Sequence, residues 1–495
     1  MLSVFKHFAG QTAIYGISTI VSRLLNFLLT PLYTRVYQEE VYGIFTEMYS
    51  WAALINALLA FGMETTYFRY LQKHDDKQAV YSNGFLLVGA LSALFLAGSF
   101  ANAQALAGWM QKGQLVPAGD YVDYIRLFAW IVFFDNLAVL PFARLRAEGK
   151  ALRYSVLKFL NISVFIALNL LLILGVPLAI REKWIFHETL MEVYRPGWIG
   201  YVFVANLVAS CLTFLLLSPQ LVSLKLRVDL RLMKNMLAYS WPVLVANISF
   251  IVNENISRIL MGFLLPAQQG MRDLGIFGAC SKLAVFLNIF VQAFRLGAEP
   301  FFFSHSAAAN ARQTYAVIMR YFVAASTAGF LAIVVNIGLL KYFIGAEYWE
   351  GLRIVPILLL GYVFLGIYMN LSIWYKLSDQ TRYGFYISGL GAAGTVLLNI
   401  WLIPQYSYLG SAWATLAAYC FMMILSYVLG QRNYPIPYEL KKNLQYIGIS
   451  TILAFLSFAV LDSNIWAGNA LLLVFLGYIY LNERKRIKSM LNRKE

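Results

Sequence analysis

The chain has 495 residues, of which 60% are hydrophobic and 13% charged, and its mean hydropathy is +0.65. Soluble domains carry about 25% charged residues, so this composition excludes a soluble protein and requires a polytopic membrane protein. The formal net charge of +15 then reflects Lys and Arg enrichment in cytoplasmic loops, and nucleic acid is not an implied partner.

The first apolar run, at about 11–37, is too long for a signal-peptide core and has no small-residue cleavage site, so it is expected to stay in the mature protein. Further runs follow at about 43–66, 81–102, 122–142, 155–178 and 198–219, then at 237–264, 275–298, 316–340, 351–375, 383–403 and 407–430, and finally at 444–462 and 466–482. Each is near the ~20 residues a bilayer helix needs, which predicts an all-α protein of about fourteen transmembrane helices. Strand-like alternation over ten-residue segments is absent, which excludes a transmembrane β-barrel. Cys211, Cys280 and Cys420 fall inside apolar runs without zinc or redox spacing and read as packed helix residues.

The basic residues set the orientation. With the amino terminus inside, the cytoplasmic connections hold Lys73 and Lys77, then Arg144, Arg146, Lys150 and Arg153, then Lys225, Arg227, Arg231 and Lys234, and later Lys376, Arg382, Arg432, Lys441 and Lys442. Roughly 24 basic residues lie on that side against about 8 on the other, so both termini are expected in the cytoplasm, with the chain a multi-pass protein of a bacterial cytoplasmic (inner) membrane. The outer connections are short. The longest, about 181–197, is too small for a soluble domain.

A short pattern occurs twice. Ser22-Arg23-Leu24-Leu25, Pro31 and Gly43-Ile44-Phe45 are echoed by Ser257-Arg258-Ile259-Leu260, Pro266 and Gly275-Ile276-Phe277. Six runs per half give both halves the same direction of entry, which predicts two six-helix lobes related by a pseudo-two-fold along the membrane normal. The expected division is an N-lobe over 1–221, a basic linker over 222–235 lying on the cytoplasmic leaflet, a C-lobe over 236–432, a helix pair over 433–483 and a basic tail over 484–495.

Deep charges carry the functional signal. Arg23 lies about a dozen residues into the first run, ~18 Å along a helix, where an unpaired charge costs at least ~2.5–3.5 kcal/mol. It has no acid three or four residues away. Glu254 and Arg258 share one helix face among Asn247, Asn253 and Asn255, and are open to two readings, a self-neutralising pair or a functional one. Lys282, Asp135 and Glu64 are also placed within the membrane. Cations outnumber acids among these positions, which points to an anionic cargo such as a phosphate or diphosphate headgroup held by Arg23, Arg258 and Lys282. Arg126, Lys158 and Arg320 sit near helix ends and are expected to snorkel, and Arg295 and Glu299, four apart, to pair locally. There is no phosphate-binding Gly-x-x-x-x-Gly-Lys loop, no intramembrane histidine relay or metal set, and no nucleophile–base spacing, so neither a cofactor nor an enzyme is indicated. Coupling to a proton or sodium gradient would require a carboxylate, and Glu254, Asp135 and Glu64 are the candidates.

The opening Ser22-Arg23-Leu24-Leu25, the Tyr42-Gly43-Ile44-Phe45 helix entry and the Phe61-Gly62-Met63-Glu64 helix exit resemble the polysaccharide transporter family of the multidrug/oligosaccharidyl-lipid/polysaccharide flippase superfamily. The resemblance extends over nearly the whole chain. It implies two lobes around a cationic central cavity and alternating access that moves an undecaprenyl-diphosphate-linked oligosaccharide to the outer leaflet, for O-antigen, capsule or exopolysaccharide synthesis. By resemblance, Arg23 and Arg258 engage the diphosphate, the last two helices border a groove for the lipid tail, and polymerase or assembly proteins are partners beside membrane lipids. A cation-coupled multidrug exporter is the first alternative, although an arginine-rich cavity would repel cationic drugs. A membrane O-antigen polymerase or ligase is the second, and the short outer loops argue against it. The topology has a direct test. In a background lacking the native cysteines, Asn464→Cys should react with a membrane-impermeant maleimide added outside and Ser378→Cys should not; the reverse pattern overturns the orientation.

Overall fold

A computed structural model describes residues 20–491 except 23, 112–115, 185, 223, 225–227, 307 and 379, with only the backbone described for 300 and 485–491. Arg23, Lys225 and Arg227 therefore lie outside the described residues. Among the described residues the regular structure is entirely helical, and 11 helices are long and apolar enough to cross a membrane, with Gly200–Leu216 a shorter apolar helix. Helices are the expected solution, because a span in hydrocarbon must satisfy its backbone polar groups within itself. Side-chain hydroxyls and amides inside the helices are satisfied locally too. Thr46 donates to the carbonyl of Tyr42, Ser92 to Val88, Ser240 to Met236 and Asn399 to Thr395, each one turn back.

The chain forms two compact units, 1–275 and 276–495. In the first, α1 (Thr30–Val36) precedes α2 (Glu39–Ala60), and α3 (Met63–Lys73) follows α2 after a break at Phe61 and Gly62. Both break residues have positive φ, 49° and 65°. Gly62 is required twice over, since a Cβ there would also crowd Val243 and the carbonyl of Ser240. Next come α4 (Lys77–Ala101), α5 (Ala118–Ala147), α6 (Ala151–Leu170), α7 (Gly200–Leu216) and α8 (Leu230–Leu264). Helix α5 packs on α4 and α7, α7 packs on α6, and α8 lies along α2 and α3.

The unit closes in the first turns of α9 (Ala267–Ser304). There the repeated glycines meet. A Cβ on Gly43 would sit 2.0 Å from the carbonyl oxygen of Met271, and one on Gly275 would sit 1.9 Å from that of Glu39. Each glycine thus faces the residue four before the other, a reciprocal backbone-to-backbone crossing that only small residues permit.

The second unit continues through α10 (Ala311–Val335), α11 (Val355–Leu371), α12 (Arg382–Asn433), α13 (Leu440–Phe455) and α14 (Ile465–Leu491). Helix α12 has 52 residues, about 78 Å at ~1.5 Å per residue and far beyond one hydrocarbon crossing. Its backbone breaks at Ser407 (φ 50°), after Pro404 and between the apolar runs at 383–403 and 407–430. Gly410 lies against the carbonyl of Leu402, and Ser411 donates to Asn399 at 2.9 Å across the break.

Two local expectations are corrected here. Arg320 does not snorkel. Its side chain is fully buried, 2.8 Å from Glu439 and 2.6 Å from Glu483, and Tyr446 donates a further hydrogen bond to Glu483. This cluster ties α10 to α13 and α14. Arg295 and Glu299 do not pair, because Lys376 from beyond α11 takes the Glu299 carboxylate at 2.5 Å. Removing one member of a buried pair leaves its partners charged in hydrocarbon, at a cost of about 3–5 kcal/mol. Arg320→Ala should therefore lower the melting temperature sharply and open the 433–440 connection to protease. The double variant Arg320→Met/Glu483→Leu should recover part of that loss, as read by thermal size-exclusion profiles.

Candidate functional site: a polar cavity in the first unit

Three helices of the first unit carry polar residues at helical spacing within apolar sequence. Asn56, Ala60 and Glu64 follow one another across the α2–α3 break, Tyr154, Lys158 and Asn161 lie on α6, and Asn206, Ser210 and Thr213 lie on α7. Spacings of three and four put the α6 set and the α7 set each on one helix face, while the break at Phe61 and Gly62 turns the chain between Ala60 and Glu64. The three faces converge with Asp135, Asn136, Phe142 and Arg146 of α5 around a cavity of about 510 Å³. The space is large enough and polar enough to admit water, which would lower the cost of the charges that line it.

Asp135 stands on the α7 side. Its Oδ1 accepts a hydrogen bond from Ser210 Oγ at 2.7 Å. Asn206, one turn earlier, donates to Tyr49 Oη at 2.8 Å. Asn136 donates to Asn56 at 2.6 Å, and Asn161 donates to Thr213 at 2.9 Å, so the amides cross-link α5 to α2 and α6 to α7. At the other end Glu64 pairs with Arg146, whose guanidinium also lies 5.3 Å from the ring centre of Phe68 and 5.8 Å from that of Tyr154. Lys158 does not reach the headgroups as its position near a helix end suggests. It lines the cavity, with its ammonium 4.2 Å from the ring centre of Phe142 and no ion pair among the described residues. The reason is geometric: the turn of α6 that carries Lys158 faces α5.

The cavity therefore offers one carboxylate held by a single hydroxyl donor, one ammonium, a neutralised Glu64–Arg146 pair and four amides. Such a lining can exchange a proton or a small cation at Asp135 and can hydrogen-bond a polar guest. No group of three or more His, Cys, Asp or Glu suited to a metal ion occurs among the described residues.

Of the residues singled out by sequence, Asp135 and Glu64 are brought together here. Glu254 and Arg258 lie on α8. Arg258 reaches back to the backbone carbonyl of Glu254 at 3.1 Å and to the side chain of Asn255 at 2.9 Å, while the Glu254 carboxylate joins no ion pair among the described residues. Lys282 is half-buried on α9 in the second unit. Sequence reasoning missed Arg146, Lys158 and the polar residues of α6 and α7. Their signal was present as stripes at i, i+4 and i+7, which single-residue inspection of charges passes over.

A family model described as polysaccharide biosynthesis protein matches residues 8–303, more than half of the chain. No curated protein sequence matches closely enough to count as a relative. Among solved structures the chain is similar to the lipid II flippase MurJ in an inward closed conformation, at 14% identity and a TM-score of 0.69, over 95% of this chain and 99% of that one. It is also similar to the MATE multidrug transporter DinF-BH, at 18% identity and a TM-score of 0.61, over 87% and 96% of the two chains. An outward-facing multidrug resistance MATE family transporter of the MOP superfamily aligns at 13% identity and a TM-score of 0.58, over 86% and 95%. This is a multi-pass membrane protein of the polysaccharide biosynthesis protein family, with the fold shared by MurJ and the MATE transporters.

Proposed function

We propose that the protein is a flippase that carries an undecaprenyl-diphosphate-linked oligosaccharide from the inner to the outer leaflet of a bacterial cytoplasmic membrane, with both termini in the cytoplasm. The observation that carries this reading is the family match over residues 8–303, a stretch that contains Arg23, Glu64, Asp135, Glu254, Arg258 and Lys282 together. A sugar-diphosphate head cannot cross hydrocarbon unaided, because its polar groups would lose their water. In this reading Arg23, Arg258 and Lys282 engage the diphosphate, the prenyl tail stays in lipid, and the protein alternates its access between the two faces. The reaction makes and breaks no covalent bond, so the protein acts as a transporter and not an enzyme.

The polar cavity of the first unit supplies the coupling. Asp135 is assigned as the group that exchanges a proton or sodium ion, since Glu64 is committed to Arg146 whereas Asp135 accepts from a hydroxyl, shares the cavity with Lys158 and joins no ion pair among the described residues. A second reading, a cation-coupled multidrug exporter, is favoured by the MATE-like fold and by a carboxylate in such a cavity. The two differ in cargo. Deleting the gene should cause a lipid-linked sugar to accumulate on the cytoplasmic leaflet if the protein is a flippase, and should raise sensitivity to cationic dyes if it is an exporter.

Two outcomes test the assigned residues. Arg23→Ala and Arg258→Ala should each abolish surface polysaccharide at near-normal protein level, and lysine at either position should restore part of it, because it keeps the charge without the bidentate fork; normal export by both alanine variants ends the cationic-site assignment. Asp135→Asn keeps the shape and the Ser210 contact but cannot titrate. Reconstituted in vesicles, this variant should lose the dependence of translocation on an imposed proton or sodium gradient, and retention of that dependence removes Asp135 from the coupling role.

A further inference from the structure

A second cavity lies at the far end of the second unit, on the side that the positive-inside pattern places outside the cell. It measures about 590 Å³ and opens between the connection from α10 to α11 and the turn from α13 to α14. That size falls within the ~300–1,000 Å³ of small-molecule pockets and leaves room for about two or three pyranose rings. Helix α13 unwinds through a π turn at Leu456–Val460, and Asp462 and Ser463 then take positive φ, 46° and 56°, before α14 begins. Irregular, strained connections of this kind are where proteins present side chains to ligands.

The groups presented are specific. Trp349 is fixed by its indole N–H, which donates to the carbonyl of Lys341 at 2.8 Å, and the Lys341 ammonium lies 4.5 Å from the Trp349 ring centre. Trp466 stands in the first turn of α14, where the Asn464 side chain accepts its backbone N–H at 3.0 Å, and 87% of it is exposed. Arg353 donates to Tyr408 Oη at 2.8 Å. Asp462 and Glu350 line the same space.

This mixture selects by chemistry. Two carboxylates disfavour a phosphate, and a lysine with an arginine disfavours a cationic drug. Two indoles beside hydrogen-bonding groups of both kinds suit a ligand with an apolar C–H face and a polar rim. We infer that the cleft lined by Trp349, Asp462 and Trp466 is a carbohydrate subsite that receives the glycan of the lipid-linked cargo at the outer face. The inference rests on the flippase reading and adds to it a second binding place, remote in sequence from the residues assigned to the diphosphate.

The test uses the full chain in lipid nanodiscs and, as probe, the free oligosaccharide released by mild acid from the cell's own undecaprenyl-linked pool, with neither diphosphate nor lipid attached. Saturation-transfer NMR should show saturable binding to the wild type. Trp349→Ala, Trp466→Ala and Asp462→Asn should each weaken it roughly five- to tenfold, and Trp466→Phe should retain it. Absence of saturable binding to the wild type overturns the proposal. So does binding by the tryptophan variants equal to that of the wild type with only the melting temperature lowered, which assigns the indoles to membrane anchoring. Glycan binding that follows these variants, in a protein whose deletion leaves no lipid-linked sugar on the inner leaflet, sustains the subsite and ends the flippase reading instead.

Discussion

Hydrocarbon offers a charged group neither partner nor solvent, so each ionic side chain within the spans must find an opposite charge, a hydrogen-bond donor or trapped water. This chain shows the first two. Arg320 is buried against Glu439 and Glu483, while the more exposed Glu299 pairs with Lys376 and Glu64 with Arg146. Asp135 has a hydroxyl donor and an amide-lined cavity instead. The distinction separates structural charges from exchangeable ones. A carboxylate locked against a guanidinium holds helices together, whereas one that faces a wet pocket can gain and lose a cation at modest cost.

The same constraint shapes the backbone. Breaks within apolar sequence are tolerated only where neighbouring chain supplies contacts, and the breaks here meet that condition. The Phe61–Gly62 break lies against α8 at Val243 and Ser240, and the Ser407 break is closed by the Ser411–Asn399 bond and by the apposition of Gly410 to Leu402. The reciprocal approach of Gly43 and Gly275 follows the same economy. Without a hydrophobic driving force between helices in lipid, close packing of backbones is what holds them, and glycine brings the carbonyls of Met271 and Glu39 within reach.

Polar cavities at the two sites differ in the kind of guest they admit. The first is lined by four amides, hydroxyls, Asp135, Lys158 and the Glu64–Arg146 pair, a lining for ions and water. The second adds indole faces to charges of both signs, a lining for a molecule with an apolar face and many hydroxyls.

The amino-acid sequence by itself determined that the chain is helical and crosses a membrane many times, because hydropathy and run length need no partners to be read. It also located the division near Ser407 and the two matching Gly-Ile-Phe elements, and it singled out Asp135 and Glu64, whereas the break at Phe61 and Gly62 falls inside the single run expected over 43–66. Tertiary structure alone decided what those acids meet. Helical spacing exposes partners three or four residues away, which points Arg295 to Glu299, and nearness to a helix end points Arg320 to the headgroups. The partners chosen in the fold lie far along the chain: Lys376 is 77 residues from Glu299, Glu439 is 119 from Arg320, and Ser210 is 75 from Asp135. Asn206 and Asn161 were unreadable for a related reason. An asparagine in an apolar helix serves equally well to bond the carbonyl one turn back or to line a cavity, and only the packing of α5, α6 and α7 around a shared space selects the second.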